Sequence, residues 1–173
     1  DYPEMVPGEV ILDNRDPTGA GLVLEVTPRR TLQLALHDGK ARIDLEAAAD
    51  KTLPTTHASY DLYQEKMLWS QKFNRLETDA GTLTAGKPQH VVLIADGLAN
   101  LLSSVVNGKL SDGGRYRFYG WNRIIDDMEK VSGSGKLKIA PRFNGQVKSL
   151  RIYNRYLTTS EAIGNYHAGN GAR

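Results

Sequence analysis

The chain has 173 residues, with 22 Lys and Arg against 20 Asp and Glu and a formal charge of +2. That is too little to suggest a nucleic-acid partner unless the cations are gathered in one place. Its 40% hydrophobic and 24% charged residues exclude a disordered acidic or basic tail, and the absence of cysteine excludes disulfides and thiolate metal centres. A chain of this length makes one core comfortably and two poorly, so a single domain is expected over 1–173. No apolar run reaches the roughly 20 residues of a membrane span, and the opening "DYPEMVPGEV" has neither the basic nor the apolar region of a secretory leader.

In chain order, "LDNRDPTG" (12–19) is the first stretch with chemistry in it. Asp13, Asn14 and Asp16 offer the hard oxygen ligands that calcium takes, and the same residues around Pro17 and Gly19 suit a β-turn whose Asp and Asn side chains satisfy the backbone. Then come two segments of period 2, "GLVLEV" (21–26) and "TLQLALHDG" (31–39). In the second, Leu32, Leu34 and Leu36 fall on one face and Thr31, Gln33 and Ala35 on the other, as in a strand with one face in a core. Residues 46–80 have no clear period and are expected to form an insertion with one strand near Trp69. "GTLTAGKP" (81–88) has the glycine and lysine spacing of a phosphate loop. Pro88 stands where a metal-binding hydroxyl belongs and a strand follows in place of a helix, so that reading is rejected.

Further strands are predicted at "HVVLIADG" (90–97), "LLSSVVNG" (101–108), "KLKIA" (136–140) and "VKSLRIYN" (147–154). Asp38-Gly39 and Asn107-Gly108 are dipeptides that accept positive φ in tight hairpins. Thr158 and Glu161 form an S/T-x-x-E capping box, which predicts a helix whose buried stripe is Ala162, Ile163 and Tyr166 and which Gly169 is placed to end. The four histidines show no metal-binding pairing.

"GRYRFYGWNRIIDDMEK" (114–130) interleaves arginines with aromatics before an acidic pair. A sugar presents an apolar C–H face that stacks on aromatic rings, and hydroxyls that accept from Arg or Asn and donate to carboxylates. Tyr119 and Trp121 would be the platforms, Asn122 and Arg123 the donors, Asp126 and Asp127 the acceptors. The plainer alternative is a strand with its aromatics inward and its arginines outward.

The closing strand with its "RIYNRYL" ending and short capped helix, the pair "GKPQHVVLIADG" and "LLSSVVNGKLSDGG", and "ILDNRDPTGAGLVLEV" with "LQLALHDGK" resemble laminin G-like modules of the concanavalin A-like lectin/glucanase superfamily. The resemblance covers about two-thirds of the chain in order. It implies an all-β fold, a two-sheet antiparallel jelly-roll β-sandwich with one short C-terminal helix. It also implies a carbohydrate-binding or adhesion role, with no required cofactor and often a structural calcium. An opening strand pair is implied too, for which the ten residues before Ile11 are too few; the missing strand lies in a removed segment, or the module is unusual. Glucanases of that superfamily carry paired glutamates, about 5 Å apart in retaining enzymes. Here "RIDLE" (42–46) has Arg42 where the nucleophile would stand.

The expectation is therefore a non-catalytic module that binds a polysaccharide or oligosaccharide, outside the cytoplasm or at the cell surface. It would belong to a polysaccharide-degrading enzyme, with that enzyme's other domains as further partners, and would have neither a nucleic-acid partner nor a membrane span. The alternatives are a lyase or hydrolase on the same fold, and a structural or adhesion module.

Overall fold

The computed structural model describes residues 6–40, 74–114, 119–125, 128–129 and 131–170. Among them are nine strands: β1 Val10–Asp13, β2 Gly21–Val26, β3 Leu32–His37, β4 Arg75–Glu77, β5 Val91–Asp96, β6 Leu101–Val106, β7 Lys109–Leu110, β8 Trp121–Arg123 and β9 Lys138–Arg142. One helix, α1, spans Thr159–Asn170. The strands form two antiparallel sheets. The first has the order β4-β3-β2-β1-β9, and the second has β5-β6-β7 with β8 also paired to β6. No helix among the described residues is long and apolar enough to cross a membrane.

The period-2 segments put their leucines between the sheets. Leu34 and Leu76 from the first sheet meet Leu102 and Ile124 from the second, with Leu22, Leu36 and Leu93 packed around them. Leu24, Val26 and Leu32 continue this layer under Val91 and Leu93. Each fully buried side chain of this size stabilises the fold by about 1.5–3 kcal/mol. Leu32, Leu34 and Leu36 do share the core face. Ala35, on the other face of β3, is also buried, in a small cluster with Val10 and Val23.

The sheets are tied along one side by Asn74. Its N–H donates to Arg123 O at 2.8 Å, its carbonyl accepts from Leu36 N at 2.9 Å, and its Oδ1 accepts from Ile125 N at 2.8 Å. One residue thus links β3 of the first sheet to the chain around β8 of the second.

Asn107 and Gly108, with φ of 50° and 76°, make the β6–β7 hairpin turn as their residue types predict. Glycine is required at 108 for a second reason: a Cβ there would lie 2.4 Å from Cδ1 of Tyr166 on α1. The capping box forms in both directions. Thr158 Oγ1 accepts Glu161 N–H at 3.2 Å, and Glu161 Oε2 accepts Thr158 N–H at 2.8 Å. The Arg155 guanidinium, together with the Thr158 N–H, lowers the Glu161 pKa to about 2. Ala162, with Ile163 beside it, packs on Ile94 and Val105, so α1 covers part of the outer face of the second sheet.

One expected strand does not form. Residues 147–154 carry no ladder, and Leu150 and Ile152 are exposed. Their alternation predicts a strand, but β1 is already flanked by β2 and β9, and no described strand takes this segment as a neighbour. Conversely β4, β7 and β8, all of three residues or fewer, lacked a readable period. The strand expected near Trp69 and the "RIDLE" stretch lie outside the described residues.

Two histidines tie the fold to pH. Burial, aided by the positive charges of Arg75 and Arg15, lowers the pKa of His37; burial and Arg151 lower that of His90, whose Nδ1 is enclosed with no hydrogen-bond partner among the described residues. The folded state therefore prefers both rings neutral, and below the usual value of about 6.5 the unfolded chain binds more protons. Stability should fall as pH drops through that value, giving a lower urea midpoint at pH 5.5 than at pH 7.5. An unchanged or higher midpoint at pH 5.5 would contradict the placement of these rings.

Candidate aromatic binding face

Strand β8 pairs with β6 in the register Ser103↔Trp121, Leu102↔Asn122 and Leu101↔Arg123. Opposed residues point to the same side. Leu102 is in the core, so Asn122 must point inward while Trp121 and Arg123 point outward, and the exposure pattern of the three agrees. The β5–β6 register extends the outer face by a strand, setting Ile94 beside Ser103 and Asp96 beside Leu101. Two cross-strand rows result: Ile94, Ser103 and Trp121, then Asp96, Leu101 and Arg123. Helix α1 packs on the Ile94 and Val105 end of this face.

Gly120 brings the chain into β8 so tightly that a Cβ would lie 2.6 Å from Ser111 O. On its two sides Tyr119 and Trp121 lay their rings parallel, with centroids 4.6 Å apart and planes 4° apart. Such a stack fixes both rings at low entropic cost. Tyr119 keeps 55% and Trp121 38% of its surface open. The pair is a rigid apolar plate on the surface, with the exposed guanidinium of Arg123 on the same face.

The expected site residues thus divide. Tyr119, Trp121 and Arg123 come together outside. Asn122 does not join them: it is buried, and its Nδ2 donates to Arg75 O at 2.7 Å, bracing β8 against β4. This corrects its expected role as a sugar donor. A residue between two outward neighbours on a strand must face inward, and an Asn there needs an internal partner. Asp126 and Asp127 lie outside the described residues. Asp96 and Ser103, which the register adds to this face, could not be found without knowing which strands pair.

The oxygens proposed for calcium are engaged by protein donors. Asp13 accepts Arg15 Nε at 3.0 Å and Nη2 at 3.1 Å, which holds its carboxyl below the usual range. Asn14 Oδ1 accepts Leu22 N–H at 2.7 Å. Asp16 Oδ1 accepts the Thr18 N–H and hydroxyl and the Ala20 N–H, and these bonds lower its pKa too. This arrangement is the turn reading of the stretch. Among the described residues no three His, Cys, Asp or Glu are grouped as a metal would require.

No family model matches the chain, and no curated protein or solved structure does either.

Proposed function

We propose that this chain is a non-catalytic carbohydrate-binding module, a laminin G-like jelly roll of the concanavalin A-like type, acting outside the cytoplasm or at the cell surface as part of a polysaccharide-degrading enzyme. The observation that carries the reading is the exposed Tyr119–Trp121 stack beside Arg123. A pyranose ring laid on the open face of the indole buries its C–H groups against the plate, and its substituents then reach Arg123. A guanidinium binds carboxylate or sulfate in two parallel hydrogen bonds, so an acidic sugar is favoured over a neutral one. Recognition of this kind breaks no bond and needs no cofactor. The loop around Asp13 and Asp16 is held by its own donors, so binding should survive removal of calcium by a chelator.

Each sugar hydroxyl exchanges water for protein hydrogen bonds with little net gain, so one site should bind at micromolar to millimolar Kd, about −8 to −4 kcal/mol. The test is binding to an array of neutral and acidic glycans. Trp121→Ala should weaken binding about tenfold or more, since the lost stacking and apolar contact is worth about 1.4 kcal/mol or above, while far-UV circular dichroism is unchanged. Equal binding by Trp121→Ala and Tyr119→Ala, or no glycan bound at all, would end the reading. Release of unsaturated products from an acidic polysaccharide would instead point to a lyase.

A further inference from the structure

Among the described residues, the strand edges on the side away from Asn74 have no neighbour. There β9 ends the first sheet and β5 ends the second, and no described strand pairs with the outer edge of either. Ile139, opposite core-facing Leu12 on β1, is 55% exposed where an inner-face residue would normally be covered. After the bend at Gly145 the chain runs on through 146–153 as neither strand nor helix. Val147, Leu150 and Ile152 are exposed, and no backbone group of 146–153 hydrogen-bonds to another described backbone group.

The charge of this side is one-signed. From residue 131 to residue 160 the sequence has no carboxylate. Lys136, Lys138, Arg142, Lys148 and Arg151 are all exposed, and none forms an ion pair among the described residues. The nearby acids are occupied: Asp13, opposite Lys138, is held by Arg15, and Glu9 accepts the Asn144 N–H.

We propose that the segment 146–153 is a docking surface for an extended, acidic protein segment that lies along it as an added strand, with alternate apolar side chains on Leu150 and Ile152 and carboxylates toward the cations of this stretch of chain. Three features select this occupant. A second copy docking by the same segment would set these cations against their equivalents, which repel. A glycan would leave the aliphatic side chains uncovered. An anionic membrane would meet the charge and the apolar groups, but unpaired backbone is costly to place in hydrocarbon, whereas a strand supplies hydrogen bonds.

The test uses the whole chain and a labelled nine-residue peptide of alternating Val and Glu, followed by fluorescence anisotropy at low salt. Binding is expected, with amide exchange slowed in 146–153. A tenfold or greater loss is expected with Ile152→Asp and with Lys148→Glu/Arg151→Glu. Ile152 is 70% exposed, so its replacement should leave the thermal midpoint unchanged. A peptide whose valines are replaced by proline cannot complete a ladder and should not bind. The inference is overturned by failure of the Val-Glu peptide to bind, by equal binding of the proline peptide, or by binding that Ile152→Asp leaves intact. Dextran sulfate or phosphatidylserine vesicles binding in place of the peptide would overturn it in favour of a general polyanion or lipid surface. Trp121→Ala should not affect peptide binding, which separates this surface from the glycan face.

Discussion

Replacing Glu77 by alanine should lower the unfolding free energy by about 3 kcal/mol. The Glu77 carboxylate, at the end of β4, is a shared acceptor for the turn that joins β2 to β3. It accepts the Thr27 hydroxyl at 2.9 Å and Arg29 Nε at 3.1 Å, and also the Thr31 hydroxyl and Arg29 Nη2. Thr27 and Thr31 are buried, and the Glu77 side chain retains only 10% of its exposure. Alanine would remove the acceptor that both hydroxyls share, leaving the two buried threonines only each other, and would take a carboxylate from Arg29. Taking the acceptor of a buried, charge-assisted hydrogen-bond network costs about 1–3 kcal/mol per bond. Glu77→Gln keeps one oxygen and the shape, so about half the loss is expected. Urea denaturation decides the matter: an alanine variant within 0.5 kcal/mol of the parent would show that the network adds nothing net.

Asn74→Ala should cost a similar amount, about 3 kcal/mol, by a different route. Asn74 holds φ at 62°, a left-handed conformation that costs a Cβ-bearing residue roughly 1–2 kcal/mol unless a short polar side chain bonds locally. The Asn74 side chain bonds Ile125 N–H, distant in sequence, and alanine leaves that N–H without its acceptor, a loss of about 1–3 kcal/mol. Asn74→Gly removes the same side chain but not the tolerance of positive φ, so it should recover about 1 kcal/mol. Since Asn74 N–H also holds Arg123 O, loosening it should weaken glycan binding in chains that remain folded. If glycine and alanine destabilise equally, backbone strain plays no part at this position.

Strand length explains how much of this was legible. The six-residue segments β2, β3, β5 and β6 each complete enough alternations for the core face to be read directly. The helix start was equally plain, because a capping box is a contact between residues three apart. β8 has three residues, and three residues hold no period. Its neighbourhood showed that aromatics and arginines were present without showing which of them faced out. Asn122 shows the difference: composition makes it a donor for sugar, and register makes it a brace for Arg75 O.

By itself the sequence determined that the chain forms antiparallel strands, that a helix begins after Thr158, and that aromatic and basic residues crowd near position 120. Alternation, capping and composition are local properties, and local properties are carried in the order of residues. Only the tertiary structure decided that Trp121 and Arg123 share an outer face, that Asn74 bridges two sheets, and that 147–154 finds no neighbouring strand among the described residues. Each of these depends on which distant segment lies alongside, and the free energy that selects a neighbour comes from burial and hydrogen bonds across the fold, with no trace in either segment alone.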